Sequence, residues 1–454
     1  MATPQQANPD SPQPELRRAC GVVQLTLYGV GSMLGAGIYG LIGQAAGMIG
    51  SAIWTAFLVS MVAALLTGLS YASIASRYPR AGGAAYVTHR AYRRPLLSTL
   101  IGLAVACSGL TSMATQSRVV AANLGATPVL SGAPLDVLAI GFLCLLAGVL
   151  YRGIRESLWF NALCTVVEAS GLILVIAVGM RYWGSANLLE FRTADAGSAA
   201  TALIVMQGSV LTFFSFIGFE DMLNVSEEVK SPERTMPIGV LSALAIVTVI
   251  YLAVSVTAVS VVPWRELAQA PGPLTLVVER AAPWFPKWGY TAITLFAVSN
   301  TALINYLMAS RLLYGMARQG LMPAALGTVH PVRRTPHVAI LTLLVIVAGL
   351  SLLGNISQLA AATVLLLLFA FTVVNGALVV LKRREGDKSG CFNAPIAVPV
   401  LGAAVCAVLL VVRVTTGDPR AFWIASALLL AILIFYLVTA RSAGERIAQA
   451  LEAD

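Results

Sequence analysis

Long apolar runs separated by short polar segments organise this chain, and twelve of them can be counted. Their approximate limits are 22–46, 51–75, 96–123, 135–151, 158–180, 200–226, 237–262, 286–312, 337–354, 357–381, 395–413 and 420–440. Most reach the roughly 20 residues a helix needs to cross a bilayer; the fourth and ninth are short. The pattern predicts an all-α membrane protein of twelve transmembrane helices. Two runs are interrupted where a helix should continue. The first holds four glycines between Gly29 and Gly37, and glycine costs roughly 1 kcal/mol against alanine inside a helix. The second is Ser215-Phe216-Ile217-Gly218-Phe219-Glu220-Asp221. Unwound backbone at membrane depth persists only where it is buried in protein or lines a cavity. Paired breaks in two halves of a chain point to a transporter's binding site.

Composition agrees with the pattern. The chain is 58% hydrophobic and 11% charged, against roughly 25% charged in a soluble domain. The net charge of +9 is unevenly placed. With a cytoplasmic N-terminus and alternating spans, 21 Lys and Arg residues fall in inside segments and 7 in outside segments, with Arg118 inside span 3. The positive-inside rule therefore predicts cytoplasmic N- and C-termini, and the basic excess is no argument for nucleic-acid binding. Residues 1–20 read as a disordered cytoplasmic tail, 21–441 as one membrane domain and 442–454 as a second cytoplasmic tail. Residues 1–15 are polar and rich in Pro and Gln, so no cleavable signal is expected.

The six cysteines sit in spans or on the inside, so no structural disulfide is expected. No motif calls for a metal or a cofactor. The inside segment Arg77 to Pro95 is expected to form a short amphipathic helix, and the segment Tyr314 to Pro336 looks similar. The outer segment Pro263 to Pro286, flanked by Trp264, Trp284 and Trp288, is expected to lie on the surface as a cap, since tryptophan favours the interface.

The breaks carry the candidate chemistry. If the first helix stops near Leu34, Gly35 forms the joint and the amides of Ala36 and Gly37 open a second half-helix. A helix N-terminus attracts an anion such as a carboxylate. The alternative is that these glycines serve close helix packing. Glu220 and Asp221 at the second break are costly inside a membrane; Glu220 either holds a gate, accepts a proton or faces a cationic group, or both acids are solvated in the aqueous inner vestibule. Glu168 lies about ten residues into span 5, roughly 15 Å of helix rise, with no basic residue in that span. A carboxyl so placed is either protonated or bound to a cation, which suits ion coupling, or is neutral and hydrogen-bonded to a neighbour. Span 8 supplies Ser299, Asn300, Thr301, Asn305 and Ser310; Asn300 and Asn305 either complete an ion site or polar network with Glu168 or serve as interhelical glue. Arg118, near the outer end of span 3, is expected to snorkel or to pair with Asp136 rather than to gate.

These residues resemble a known family. Gly29 to Tyr39 resembles the first-span signature of amino acid permeases of the amino acid–polyamine–organocation superfamily. Phe213 to Glu220, followed by Glu227 to Arg234 and Pro237, resembles that superfamily's span 6 and its loop. Ala309 to Pro323 is similar to its span 8 and following loop. The resemblance covers spans 1 to 10. It implies a leucine-transporter-type 5+5 inverted repeat with two extra helices, and alternating access around a bound amino acid. It further implies that the substrate carboxylate meets the amides of Ala36 and Gly37, and that its amino group meets the carbonyls of Leu34, Phe214 and Ile217, with Gly35 and Ser215 beside them. Phe214 stands where arginine–agmatine antiporters place a gating tryptophan. Glu168 stands, after Gly153-Ile154-Arg155-Glu156-Ser157, where proton-coupled relatives carry a lysine.

The expected function is secondary active transport of an amino acid across the plasma (inner) membrane, as proton-coupled import. Glu168, Glu220, Thr301 and Asn305 are the coupling or gating candidates. The partners are the amino acid, membrane lipid and H+ or Na+. The alternatives are amino acid or polyamine exchange and a non-transporting amino acid sensor. No nucleophile–base pair suggests an enzyme.

Overall fold

The computed structural model describes residues 20–79, 83–152, 158–192, 197–318, 323–331, 333 and 335–452. The expected tail over 1–19, the Gly153 to Ser157 stretch and Gln319 to Met322 lie outside the described residues.

The first apolar run is two helices. α1 (Val22–Met33) and α2 (Ala36–Ile49) are bent by 42° across Leu34 and Gly35. A 3₁₀ turn at Ser51–Ile53 leads into α3 (Trp54–Arg77). Then come α4 (Gly83–Tyr92), α5 (Pro95–Gly125), α6 (Leu135–Arg152) and α7 (Leu158–Gly179). The sixth run is α8 (Ser198–Phe213), continued by 3₁₀ turns at Phe214–Phe216 and Phe219–Glu228. The remainder is α9 (Pro232–Val261), α10 (Trp264–Gln269), α11 (Pro273–Ala281), α12 (Lys287–Arg318), α13 (His337–Leu353), α14 (Ile356–Glu385), α15 (Ala397–Thr416) and α16 (Pro419–Glu452).

Local chemistry sets several of these limits. Proline opens α5, α9 and α11, where its missing N–H costs nothing. Asn355 caps α14: its side chain accepts from Gln358 N at 2.9 Å, while Gln358 Oε1 accepts from Asn355 N at 3.1 Å. That reciprocal pair satisfies two otherwise orphaned donors.

Ten of the described helices are long and apolar enough to cross a membrane, and eleven if the bent pair α1–α2 is one span. α13 is apolar but shorter, at 17 residues, as the short ninth run implies. The protein is therefore a multi-pass, all-helical membrane protein. α14 is the most enclosed of these spans, with 67% of its apolar window buried, and α16 is the least, at 17%. The outward apolar side chains of α16, such as Leu437 and Val438, suit lipid contact.

The surface segments attach to this bundle. α4 is the expected short helix of the Arg77–Pro95 segment. It is held by Tyr92 Oη donating to Val373 O at 3.2 Å and Ser98 Oγ donating to Ala85 O at 2.7 Å. Of the segment Tyr314 to Pro336, the described part is the end of α12 and a 3₁₀ turn at Ala324–Gly327, rather than a separate amphipathic helix. The long span 8 helix simply runs on to Arg318. The Pro263–Pro286 segment folds as α10 and α11 against α2, so close that a Cβ on Gly47 would stand 2.7 Å from Ala268 Cβ.

Two isolated backbone bridges complete the frame. Cys20, just before α1, pairs with Val229 after the sixth run: Cys20 N donates to Glu228 O and Lys230 N to Cys20 O, both at 2.9 Å. Gly50, just after α2, pairs with Phe191 ahead of α8: Arg192 N donates to Ile49 O at 2.7 Å and Ala52 N to Glu190 O at 3.1 Å.

Candidate functional site

The two breaks face each other. A Cβ on Gly37 would run into the Ser215 Cα and stand 2.6 Å from Ser215 Oγ. A Cβ on Gly218 would stand 2.5 Å from Ser32 O and 2.6 Å from Ser32 C. Gly218 also has φ of +126°, a region open to glycine and strained for other residues. Span 1 and span 6 thus meet backbone to backbone, and glycine is what allows it. The glycines at the breaks permit close helix packing.

Tyr251 of α9 ties the two breaks together. Its hydroxyl lies 2.6 Å from Met33 O and 2.8 Å from Ser215 O, so one hydrogen is shared between carbonyls just ahead of both breaks. The side chain is fully buried, with its ring 5.3 Å from that of Phe216 and 5.8 Å from that of Phe57. A buried tyrosine needs a partner for its hydroxyl, and this one finds two.

Around span 1 the predicted residues fall as follows. Residues 31–40 are all buried. Leu34 O accepts from Thr301 Oγ1 at 3.1 Å. Gly35 packs on the same threonine, with a hypothetical Cβ 2.8 Å from Thr301 Oγ1. The first bond of α2 runs from Tyr39 N to Gly35 O at 3.2 Å, so the amides of Ala36 and Gly37 precede the helical ladder and keep their donors for another acceptor. At span 6, Phe214 and Ser215 are buried and Ile217 is half-buried. Phe214 O accepts from Ile217 N at 3.3 Å. Glu220 caps the break by accepting from Gly218 N through Oε2 at 2.9 Å; an acid in the first turn of a helix suits its dipole. The ten residues of 3₁₀ helix that follow are far longer than the usual three or four, so the second half of span 6 departs from α geometry throughout.

Glu168 lies at the same level, beside the first break. Its carboxyl is fully buried. Oε1 accepts from Asn300 Nδ2 at 2.8 Å, and Oε2 has no partner among the described residues. Two contacts bracket its height. One turn earlier on α7, Thr165 lies against Gly31 of α1; one turn later, Gly171 lies against the Tyr39 hydroxyl of α2. The interval between Gly31 and Tyr39 contains the break. Tyr39 Oη also donates to the backbone carbonyl of Glu168 at 2.6 Å. Asn300, which holds the carboxyl, is next in sequence to Thr301, which holds Leu34 O.

Asn305 does not join Glu168. It donates from Nδ2 to Ser112 Oγ of α5 at 3.4 Å, and Gln116 Nε2 donates to the same oxygen at 3.3 Å. Arg118 pairs with Asp136, as expected, and also donates from Nε to Ser351 O at 2.6 Å. A cavity of about 470 Å³ lies between Gln44, Arg118, Asn355, Ser357 and Arg420, two turns along α2 from the break.

Tyr251, Tyr39, Ser112 and Gln116 were not among the residues selected from the sequence. Each is a polar side chain in an apolar run, which signals a buried partner without naming it.

Helices broken at one level and facing each other across a buried contact are the construction of secondary transporters in membranes. The sequence model of the amino acid permease family matches residues 21–440. The chain belongs to the amino acid permease family. It is 28% identical over 412 residues to the branched-chain amino acid permease of Bacillus subtilis (strain 168), covering 86% of this chain and 86% of that protein. It is 28% identical over 413 residues to the methylthioribose transporter of the same organism, covering 86% and 87%. It is 30% identical over 394 residues to cationic amino acid transporter 4 of Homo sapiens, covering 82% of this chain and 61% of that protein.

Proposed function

We propose that this protein imports an amino acid across the plasma membrane by proton-coupled alternating access. The observation that carries the reading is the run of contacts from Glu168 through Asn300 and Thr301 to Leu34 O. It puts an ionisable carboxyl one residue of span 8 away from the backbone that would bind substrate. The substrate carboxylate sits on the amides of Ala36 and Gly37. Its amino group meets the carbonyls of Leu34, Phe214 and Ile217, with Gly35 and Ser215 shaping the floor and Phe214 closing over it. Protonation of Glu168 neutralises its carboxyl while Oε1 still accepts from Asn300, so the charge beside the break changes with the contact between spans 5 and 8 kept. Asn305 and Glu220 brace the two sides of the site. Burial of residues 31–40 fits a closed stage of the cycle.

The twelve apolar runs are read as twelve spans, with both termini cytoplasmic and spans 1–5 and 6–10 as inverted repeats. The matching places of the two breaks, in the first and sixth runs, support the repeat.

The test is uptake by purified protein in liposomes, comparing wild type with Glu168→Gln. Wild-type uptake that rises with an inward proton gradient, lost in the variant, supports the reading. Uptake indifferent to the gradient in both, or unchanged pH dependence in Glu168→Gln, removes Glu168 from the coupling role.

A further inference from the structure

We infer that Gln116 reads the substrate's side chain, and that the substrate is a neutral amino acid whose side chain carries an N–H or O–H donor. The inference rests on the reading of the breaks as an amino acid site.

Gln116 is 1% exposed. Its amide nitrogen is used, donating to Ser112 Oγ at 3.3 Å. Its amide oxygen is buried and has no partner among the described residues. A buried carbonyl left without a donor is costly, and such groups are rare unless something else supplies the bond. The missing partner is thus a hydrogen-bond donor, and it arrives from outside the protein's own network.

Gln116 stands level with the breaks. α2 and the outer part of α5 run in the same direction and touch where Gly40 meets Val119, at 2.5 Å from a hypothetical Cβ. Gln116 is three residues before Val119 on α5. Ala36 and Gly37 are four and three residues before Gly40 on α2. Both steps go back about one helical turn, roughly 5 Å, to the opening of the second half-helix. A second route gives the same height. Thr301 reaches Leu34 O, and Asn305, one turn further along the same face of α12, reaches Ser112 Oγ. Ser112 is one turn before Gln116, so Gln116 returns to the level of Thr301. Two further buried hydroxyls at this level, Ser32 Oγ and Ser215 Oγ, also lack partners among the described residues.

The chemistry of this patch selects the ligand. Ser112, Gln116, Thr301 and Asn305 are uncharged. Glu168 is reached from a different face of α12, where Asn300 donates to Oε1 and Oε2 has no partner among the described residues, and Glu220 Oε2 accepts from Gly218 N, so neither carboxylate belongs to this patch. A guanidinium or ammonium brought here would meet dipoles but no carboxylate, and a buried unpaired cation is strongly disfavoured. An aliphatic side chain would leave the Gln116 oxygen unpaired. An amide or hydroxyl satisfies it.

The experiment uses the full chain in liposomes and compares near-isosteric pairs, threonine with valine and asparagine with leucine, with arginine as the cationic control. Wild type is expected to favour threonine and asparagine by about tenfold or more in uptake efficiency, the factor that follows from about 1.4 kcal/mol for one buried hydrogen bond. Gln116→Leu is expected to bring each pair within about threefold, mainly by losing threonine and asparagine; retained valine uptake then reports a folded protein. Gln116→Glu is expected to admit arginine. A wild type that prefers valine, leucine or arginine overturns the inference, as does Gln116→Leu with unchanged ratios. If Gln116→Leu does not fold, the wild-type ratios and Gln116→Glu decide on the same terms. If no amino acid is moved at all, the proposed function fails first and this inference with it.

Discussion

Asn300 Nδ2 donates to Glu168 Oε1 at 2.8 Å, deep in the bundle, while the second carboxylate oxygen has no partner among the described residues. An amide donor beside a carboxyl tolerates both protonation states, because the carboxyl accepts one bond either way. The arrangement allows the proton to come and go without breaking the contact between spans 5 and 8.

Glu168→Gln keeps the shape and the bond to Asn300 but removes the titration. Gradient-driven uptake is expected to fall by at least about tenfold, while substrate affinity stays within a few-fold. Asn300→Leu removes the only donor to that carboxyl among the described residues. It is expected to lower stability by about 1–3 kcal/mol, the cost of an unsatisfied buried group, which a thermal melt in detergent reads directly.

Tyr251→Phe tests the tie between the breaks. The ring contacts to Phe57 and Phe216 survive, but Met33 O and Ser215 O both lose their donor. A loss of about 1–2 kcal/mol is expected, together with slower uptake at unchanged expression. Wild-type stability and rate in this variant would mean that the two breaks are not held through this hydroxyl.

Gly218→Ala should be more damaging than Gly35→Ala. At Gly218 the added Cβ meets the Ser32 backbone at a positive φ, whereas at Gly35 it meets only the Thr301 side chain, with Oγ1 at 2.8 Å. Gly35 has φ of 178°, an extended angle open to any residue. Yield of folded protein, followed by gel filtration in detergent, is expected to collapse for Gly218→Ala and to persist for Gly35→Ala.

The bridge between Cys20 and Val229 predicts that the start of span 1 and the end of span 6 move together. Val229→Cys, cross-linked to Cys20, is expected to keep uptake within about twofold. A cross-link that stops uptake would show that these segments separate during the cycle.

Asp418 lies outside the spans, and its carboxyl is held below the usual carboxylate range by hydrogen bonds from the Gln358 side chain and the Arg420 amide. A depressed folded value stabilises the protein above the ordinary carboxylate pKa, and that stabilisation fades as pH falls through the depressed value. Wild type should therefore melt above Asp418→Asn at pH 7, with the difference shrinking as the pH is lowered below 4.

Much of this was legible in the sequence for definite reasons. The apolar runs give the membrane fold because a bilayer sets their length. The first break shows because glycines cluster between Gly29 and Gly37, and the second because Glu220 and Asp221 follow Gly218. The depth of Glu168 follows from counting residues. Its partner does not. Asn300 and Asn305 are five residues apart, about 140° around a helix, so only one can face span 5, and a single sequence does not give the rotation of span 8 against it. The same limit hides Tyr251 and Gln116: each is a polar side chain in an apolar run, and its partner depends on which faces meet. The long 3₁₀ stretch after Gly218 leaves no sequence signal beyond the break itself.

The most direct test of the central claim is uptake of radiolabelled amino acids and amines by the purified protein in sodium-free liposomes, with and without an inward proton gradient. The account predicts uptake of amino acids, stimulated by the gradient and absent for amines that lack a carboxylate. Uptake that needs sodium, or that appears only with substrate already inside, would contradict it and point to a sodium site or an exchanger.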